Sequence, residues 1–286
     1  MKYSLSDLLI QKPALVMGIL NVTPDSFSDG GEYLDQGAAV NHALEMISEG
    51  ADIIDVGGES TRPKGKTYGD GAHPVSEEEE MSRVVGVIEA IRGANSDVLI
   101  SIDTTKAAVA RAAIGAGADI INDVSAGTSD AKMFLAARDL NVPLILMHGH
   151  GPFFKRENIE EYEYENVTRT VLNYLRMRMI EARNFGVREV LADVGIGFAK
   201  VYNENVKLMH DHEQFKSLGV PLVIGVSRKA TIGRMLGENV PPKERAAGSL
   251  AAALYCVQRG ARIVRTHDVK PTVEALKVWQ ELGRSC

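Results

Sequence analysis

The chain repeats one local pattern eight times, and this repetition constrains its fold more than any other feature. A short apolar segment of β-strand length is followed by a polar residue, a loop and a stretch with helical spacing of apolar residues. The apolar segments are Ala14–Leu20, Ile53–Val56, Val98–Ile102, Ile120–Ile121, Pro143–Met147, Val190–Ala192, Pro221–Gly225 and Ala261–Val264. Strands that alternate with helices predict a parallel sheet, and eight such units predict a closed (β/α)8 barrel. We therefore expect an α/β protein with a single barrel domain over residues 1–286.

A doubly wound parallel sheet is the main alternative, because it is built from the same strand–helix units. It rarely has eight such regular units. The chain also lacks a G-x-G-x-x-G sequence after the first predicted strand, and it contains no Walker-type phosphate loop. Its 286 residues are within the usual size of one barrel. These observations favour the barrel.

Composition and charge exclude several classes of partner. The net charge of −6 argues against a broad nucleic-acid surface. No apolar run reaches 18 residues, so we expect no contact with a membrane through a spanning helix. The first eleven residues lack the apolar core of a signal peptide, and two cysteines, Cys256 and Cys286, do not form a disulfide framework. We expect a cytoplasmic protein.

Each predicted strand leads into a polar or charged side chain. In chain order these are Asn21, Asp55 and Glu59, Asp103, Asn122, His148, Asp193, Lys229, and Arg265 with His267. Barrel enzymes build their active sites at the carboxyl ends of their strands. Any one of these residues could simply cap a helix, but all eight ends converge in space if the barrel closes. The pattern therefore predicts a polar site at the mouth of the barrel.

The acids and amides at these ends suit a flat, polar heterocycle. Asp103, Asn122 and Asp193 can exchange hydrogen bonds with such a ring, and Lys229 adds a donor. Buried carboxylates need partners because an unpaired buried charge is costly. A guanidine-like ring edge with two N–H groups would supply them.

The residues where the first and eighth strands meet suit an anion. Arg265 and His267 beside the Asn21 amide would favour phosphate or pyrophosphate, although Arg265 could instead form a salt bridge to a neighbouring acid. Asn21 together with phosphate oxygens would suit Mg²⁺, which binds few protein ligands and keeps several waters.

Two pairs of histidines suggest other roles. His148 and His150 are two residues apart and could face one metal ion on an extended segment, but the sequence shows no third zinc ligand. His210 and His212 lie in a polar stretch, 206–218, that is predicted to be helical. We expect both of them on the surface.

Seven motifs, in order and in register with the strand ends, resemble those of the dihydropteroate synthase family. The first, NVTPDSFSDGG at Asn21–Gly31, is specific, and the shorter ones gain weight from their order. The others are Gly57–Pro63, Ser101–Thr104, Asn122–Val124, Gly195–Phe198, Ser227–Lys229 and Arg265–Asp268. The resemblance covers nearly the whole chain.

The resemblance implies a transferase of folate biosynthesis and a target of sulfonamides. Such an enzyme joins 6-hydroxymethyl-7,8-dihydropterin diphosphate to p-aminobenzoate and releases pyrophosphate, with Mg²⁺ as cofactor. It also implies that the protein forms a homodimer and that its binding partners are these small-molecule substrates.

Residue roles follow from the same resemblance. The positions implied to bind the pterin are Asp103, Asn122, Met147, Asp193 and Lys229. Those implied to hold the diphosphate are Asn21, which also contacts Mg²⁺, with Thr61, Arg62, Arg265 and His267. Those implied to close over p-aminobenzoate are Phe27, Asp29 and Pro63 on two loops, against Phe198 and Lys229. The implied catalytic groups are Asp103, Asp193, Lys229, Arg265 and His267, which act through charge and hydrogen bonds rather than as a nucleophile.

Several positions depart from the usual family pattern. Val194 stands where proline is typical, Ala199 where glycine is usual and Ala230 where a hydroxyl residue is typical. Gly149 and His150 alter the motif at the end of the fifth strand, Met147–Gly151, and the second loop, over residues 64–75, is longer than in many members. None of these changes removes a charged catalytic group, so they bear on the shape of the p-aminobenzoate site.

Two other functions share this architecture. One is the pterin-binding domain of methyltetrahydrofolate-dependent methyltransferases, which does not call for Ser227–Lys229 or Arg265–His267. The other is a non-catalytic pterin-binding paralogue, in which loss of Asn21, Arg265 or His267 would be expected. All of these residues are present.

Overall fold

A computed structural model describes residues 3–23, 32–59, 75–149, 164–237 and 240–284, together with the side chains of most of them. Eight parallel strands pair in chain order, and the last pairs with the first, so the sheet closes into a barrel. The strands are β1 Leu15–Asn21, β2 Ile53–Gly57, β3 Leu99–Asp103, β4 Ile120–Asp123, β5 Leu144–Met147, β6 Val190–Asp193, β7 Leu222–Ile224 and β8 Ala261–Thr266. The predicted (β/α)8 barrel is confirmed.

Helices lie between successive strands around the outside of the barrel, and a further helix precedes the first strand and another follows the last. They are α1 Leu5–Gln11, α2 Glu32–Ser48, α3 Glu77–Ala94, α4 Ala107–Gly115, α5 Met133–Leu140, α6 Val167–Asn184, α7 Tyr202–His210, α8 Ala230–Leu236, α9 Ala246–Gln258 and α10 Val269–Arg284. Short 3₁₀ helices cover His212–Leu218 and Pro242–Arg245. In the described part of the chain no helix has the length and apolar character needed to cross a bilayer.

The apolar residues form two separate cores. The larger one fills the space between the strands and the helices. The smaller one fills the lower interior of the barrel, where every strand contributes and Leu5 of α1 packs from below. Its members are Leu5, Leu15, Met17, Ile53, Leu99, Ile120, Ile145, Leu191, Val223 and Ile263. This layer leaves only the upper part of the interior for polar side chains.

The prediction for the stretch 206–218 was partly wrong. The α-helix ends at His210, and a separate 3₁₀ helix begins at His212 after Asp211. This break turns His212 into the protein, where it is fully buried with its ring 6.1 Å from that of Phe215. Burial lowers the pKa of His212 to about 4. His210 remains on the surface, as expected.

Candidate active site

The side chains that face the barrel interior change from apolar to polar at one level. Residues two apart in a strand point to the same face, so the residue two positions after each member of the inner core lies directly above it. At this level Asp55, Ser101, Asn122, Asp193 and Arg265 are polar or charged, and Met147 of β5 is apolar. Asn21 and Asp103 lie one further step up, at the ends of β1 and β3. The expected convergence of strand ends is therefore observed for these residues but not for His148. His148 follows the inward-facing Met147, so its side chain points away from the barrel interior and packs against Tyr174 of α6.

A buried ion-pair network joins three of the strands. Asp55 is fully buried, and its Oδ2 accepts a hydrogen bond from Nε of Arg265 at 2.6 Å. The Arg265 Nη2 donates to Oδ2 of Asp103 at 2.7 Å. Ser101 and Asn122 also donate to Asp55, the latter at 3.3 Å. The guanidinium of Arg265 is thus held between two carboxylates, which is the salt-bridge alternative that the sequence left open.

Burial governs the charge of the two site carboxyls. It raises the pKa of Asp103 to about 7, although the charge of Arg265 opposes this shift. Burial also raises the pKa of Asp193, against the lowering effects of Lys229 and of the Gly195 N–H group. Burial alone would lower the pKa of Arg265, but its two carboxylate partners raise it instead. A ligand with N–H donors would therefore stabilise the charged, carboxylate forms of these two groups.

A second cluster surrounds the loop after β6. The Oδ1 of Asp193 accepts a hydrogen bond from the N–H of Gly195 at 2.7 Å. Lys229, the N-cap residue of α8, donates from its ammonium to the carbonyl of Ile196. The same ammonium lies 4.7 Å from the centre of the Phe198 ring, in cation–π contact. The structure therefore brings Asp193, Phe198 and Lys229 together.

The two clusters meet at the end of β7. A side-chain carbon at Gly225 would lie 3.9 Å from both the Cβ of Arg265 and the ammonium of Lys229. Met147, at the end of β5, pairs with Asp193 and is buried. The candidate pterin residues thus line one continuous region of the mouth.

The candidate anion residues lie on the neighbouring side. The Nδ1 of His267 is 3.0 Å from the Oγ of Ser227, which also accepts the backbone N–H of His267 at 3.1 Å. Asn21 is half-buried and pairs with Gly57, which in turn pairs with Asp103. This register places Asn21 two strands from Asp103 at the same edge of the barrel.

The amide oxygen of Asn21 is of a kind that Mg²⁺ accepts, and its role as a ligand stays a prediction. Among the described residues no group of three His, Cys, Asp or Glu side chains is placed to hold a metal ion. A single amide oxygen suits Mg²⁺, which completes its octahedron with phosphate oxygens and water. His148 is buried against the edge of Tyr174, with ring centres 4.8 Å apart, and burial lowers its pKa to about 2. His150 lies outside the described residues.

Five predicted site residues also lie outside the described residues. They are Phe27 and Asp29 of the first loop, and Thr61, Arg62 and Pro63 of the second. Their proposed roles remain predictions.

The sequence interpretation missed three residues that support the site. Ser101 is a polar residue two positions before Asp103 in an otherwise apolar strand, a signal that it shares the face of Asp103. Ser227 orients His267 through its hydroxyl group, and the Ser227–Lys229 motif gives no sequence signal of this role. Lys200 is buried beneath the loop after β6. A lysine next to a glycine-rich loop gives no sequence signal of burial.

Comparison with known proteins agrees with this geometry. Residues 17–267 match the family described as pterin binding enzyme. A dihydropteroate synthase of Bacillus subtilis is 46% identical over 275 residues, which cover 96% of this chain and 90% of the relative.

Solved structures give the same result. A Xanthomonas albilineans dihydropteroate synthase with 4-aminobenzoic acid superposes with a TM-score of 0.85 at 43% identity, covering 94% of this chain and 93% of the other. The same organism's enzyme in complex with 7,8-dihydropteroate gives a TM-score of 0.82 at 41% identity, with 94% of each chain covered. With its strand-end site, its matched family and these full-length relatives, the chain belongs to the pterin-binding enzyme family of dihydropteroate synthases.

Proposed function

We propose that this protein is a dihydropteroate synthase, which condenses 6-hydroxymethyl-7,8-dihydropterin diphosphate with p-aminobenzoate to give 7,8-dihydropteroate and pyrophosphate. The observation that carries the proposal is a polar layer in which Asp103, Asn122, Asp193 and Lys229 lie beside Arg265 and His267. The relatives' bound 4-aminobenzoic acid and 7,8-dihydropteroate are a substrate and the product of this reaction.

The pterin is held by the acidic part of this layer. Its guanidine-like edge would donate to the carboxyls of Asp103 and Asp193, and Asn122 and Lys229 would bond to the remaining ring atoms. Donation to these carboxyls favours their charged forms and lowers their raised pKa values. Met147, which is buried at the end of β5, would pack against the ring.

The chemistry begins when the bond from the pterin methylene carbon to the diphosphate oxygen breaks. The electron pair leaves with pyrophosphate, and Arg265 and His267 stabilise the developing negative charge. The carboxylates of Asp103 and Asp193 stabilise the positive charge that spreads over the ring. The amine of p-aminobenzoate then forms the new C–N bond and loses one proton to solvent water. No protein nucleophile takes part.

Asn21 would hold Mg²⁺ through its amide oxygen. When bound, the ion supplies positive charge to the diphosphate oxygens. We assign Thr61 and Arg62 to the same diphosphate. Phe27, Asp29 and Pro63 would close over p-aminobenzoate against Phe198.

The test is to incubate the purified chain with the pterin diphosphate, p-aminobenzoate and Mg²⁺, and to measure pyrophosphate and dihydropteroate. Equal amounts of both products are expected, with loss of turnover on chelation and recovery on adding Mg²⁺. Intact pterin binding without pyrophosphate release would instead indicate the non-catalytic paralogue. Methyl transfer from methyltetrahydrofolate to a corrinoid would indicate the methyltransferase alternative.

We also propose a cytoplasmic homodimer. Met177 and Ile180 are 62% and 52% exposed, and they lie three residues apart on one face of α6. We assign this apolar face of α6 to the contact with a second copy of the chain. Light scattering should give twice the mass of one chain, and Ile180→Glu should shift the protein towards the monomer.

A further inference from the structure

Lys200 is a charged side chain enclosed beside the candidate active site. It follows the loop after β6, and only 7% of its surface is exposed. Its ammonium donates hydrogen bonds to the carbonyl oxygens of His148, Gly195 and Phe198, at 2.9, 2.9 and 2.8 Å. An ammonium group has three N–H donors, so these carbonyls use all of them.

The loop between β6 and α7 divides its carbonyl groups between two lysines. Those of Gly195 and Phe198 face Lys200, whereas that of Ile196, which lies between them, accepts a hydrogen bond from Lys229. This alternation needs a sharp turn of the backbone, and Gly195 provides it with a φ of +69°. The loop therefore wraps around one ammonium and presents a carbonyl to the other.

Lys200 also joins two strands that line the site. The loop after β6 approaches the end of β5 so closely that a side-chain carbon at Gly195 would lie 2.1 Å from the carbonyl oxygen of His148. The ammonium bonds to both of these residues and so bridges the two carbonyl groups. Without a cation here, both buried oxygens would lose a charged donor, and the oxygen of Gly195 would keep the N–H of Phe198 at 3.2 Å, which is unfavourable for the shape of the loop.

We propose that Lys200 is a positioning residue for the reaction, because its ammonium holds this loop in the shape that places Lys229 and Phe198. The proposal rests on the proposed function, which assigns those two residues to the substrates. The effect extends to Asp193, whose carboxylate accepts the N–H of Gly195. Lys200 itself faces carbonyl groups of the protein, so its action on the substrates is indirect.

The charge of Lys200 makes this support dependent on pH. Burial, and then Lys229, lower the pKa of Lys200 to about 7, while Asp193 and Glu204 act in the opposite direction. His148 is the other ionisable neighbour, and burial together with Lys200 keeps its pKa low. A neutral amine has two N–H donors, so deprotonation removes the hydrogen bond from Lys200 to one of the three carbonyls. We expect the loop to loosen as the pH rises above about 7.

The decisive variant is Lys200→Met, which keeps the length of the side chain but removes its charge and donors. We expect kcat/KM to fall by roughly ten- to a hundredfold, as for other small misplacements of catalytic groups. The Kd for 6-hydroxymethylpterin should rise, whereas that for inorganic pyrophosphate should not change. Arg265 is held by Asp55 and Asp103, and His267 by Ser227, so neither depends on the loop after β6. Lys216→Met, at an exposed lysine, is the matched control and should change none of these values.

Three results would overturn the proposal. The first is a folded Lys200→Met protein that melts at a lower temperature but keeps its pterin affinity and both KM values, as expected of a purely structural residue. The second is a wild-type pterin affinity that stays constant between pH 7 and 9. The third is a Lys200→Arg protein whose pterin affinity falls between pH 7 and 9 as much as that of the wild type, since a guanidinium stays charged in this range.

These results remain informative if the proposed function fails. A wild-type protein that binds the pterin without releasing pyrophosphate would contradict the function alone. The pterin affinities of the Lys200 variants would still test the positioning role.

Discussion

At the scale of single residues, Asp193 offers the cleanest test of pterin recognition. It is buried at the end of β6, and its Oδ1 accepts the N–H of Gly195. Asp193→Asn keeps an oxygen for that bond and removes only the charge. We expect pterin binding to weaken by about 2–3 kcal/mol, the scale of a lost charge-assisted hydrogen bond. Calorimetry with 6-hydroxymethylpterin would measure this change, and an unchanged Kd would exclude the assigned role.

Ala199 carries backbone strain that the family's usual glycine avoids. Its φ of +46° is in the left-handed region, which costs an alanine roughly 1–2 kcal/mol. Ala199→Gly relieves this strain but adds freedom to the unfolded chain, so we expect a net gain of up to about 1 kcal/mol in the free energy of unfolding.

The matched control for this change is Ala116→Gly. Ala116 follows α4 with a φ of −78°, where glycine has no steric advantage. This variant should lose roughly 0.5–1 kcal/mol in the same denaturant titration. Equal losses at both positions would show that the conformation of Ala199 carries no strain.

Ala230 tests the departure nearest to the expected p-aminobenzoate site. It is the exposed first residue of α8 and follows Lys229 directly. A hydroxyl here could donate to the carboxylate of p-aminobenzoate, so Ala230→Ser is expected to lower its KM several-fold. The KM for the pterin diphosphate should stay the same. Steady-state kinetics in which neither KM changes would place the carboxylate elsewhere.

At the scale of elements, a cluster of charges fixes the base of the second loop. Glu59 precedes this loop, and its Oε1 accepts the N–H of Val75, the last residue of the loop, at 3.4 Å. The ammonium of Lys106, at the start of α4, bonds to Glu59 at 2.5 Å and also to Glu80 of α3, which is fully buried. Lys106, which lies between β3 and α4 shortly after Asp103, is thus linked through Glu59 to both ends of the loop.

Removing this lysine should disturb the loop more than the pterin site. We expect Lys106→Met to raise the KM for p-aminobenzoate several-fold and to lower the free energy of unfolding by about 3–5 kcal/mol, because Glu80 loses its partner. Adding Glu80→Gln should restore part of the stability but not the KM. Lys132→Met, at an exposed lysine before α5, is the control. If the KM rises equally for both substrates, the cluster does not act through the loop.

The elements themselves were largely predictable, because each depends on residues that are close in the sequence. Apolar strands followed by polar residues identified all eight strands and the site edge. The stretch 206–218 was an exception, because its composition does not show that the helix ends at His210 and that Asp211 redirects the chain. His212 was therefore assigned to the surface although it is buried.

At the scale of the whole molecule, the pairings across the barrel could not be predicted. Asp55 and Arg265 are 210 positions apart, and nothing in the sequence says which acid the guanidinium meets. The sequence therefore suggested an anion site for Arg265 and left a salt bridge open. In the structure this arginine pairs with Asp55 and Asp103.

The raised pKa of Asp103 links folding to pH. Its folded value of about 7 exceeds the ordinary 3.8 of the unfolded chain, so the folded state binds the proton more tightly. The contribution of this group to stability is therefore greatest below the unfolded pKa and declines as the pH rises through this interval. Relative to Asp103→Asn, the wild type should lose stability between about pH 4 and pH 7. Denaturant titrations of both proteins across this range measure the difference.

The same group should make pterin binding depend on pH in the opposite direction. The N–H donors of the ring need the carboxylate form of Asp103, so binding releases a proton at acidic pH. We expect the affinity for 6-hydroxymethylpterin to rise from pH 5.5 to about 7 and then to fall as Lys200 loses its charge. In Asp103→Asn the rise in affinity between pH 5.5 and about 7 should disappear, and in Lys200→Arg the fall in affinity above about pH 7 should disappear. Each variant should keep the other part of the pH dependence. Calorimetry in buffers with different heats of ionisation counts the released protons directly. A wild-type affinity that does not change between pH 5.5 and 7, with no proton released, would mean that Asp103 binds the pterin without changing its charge.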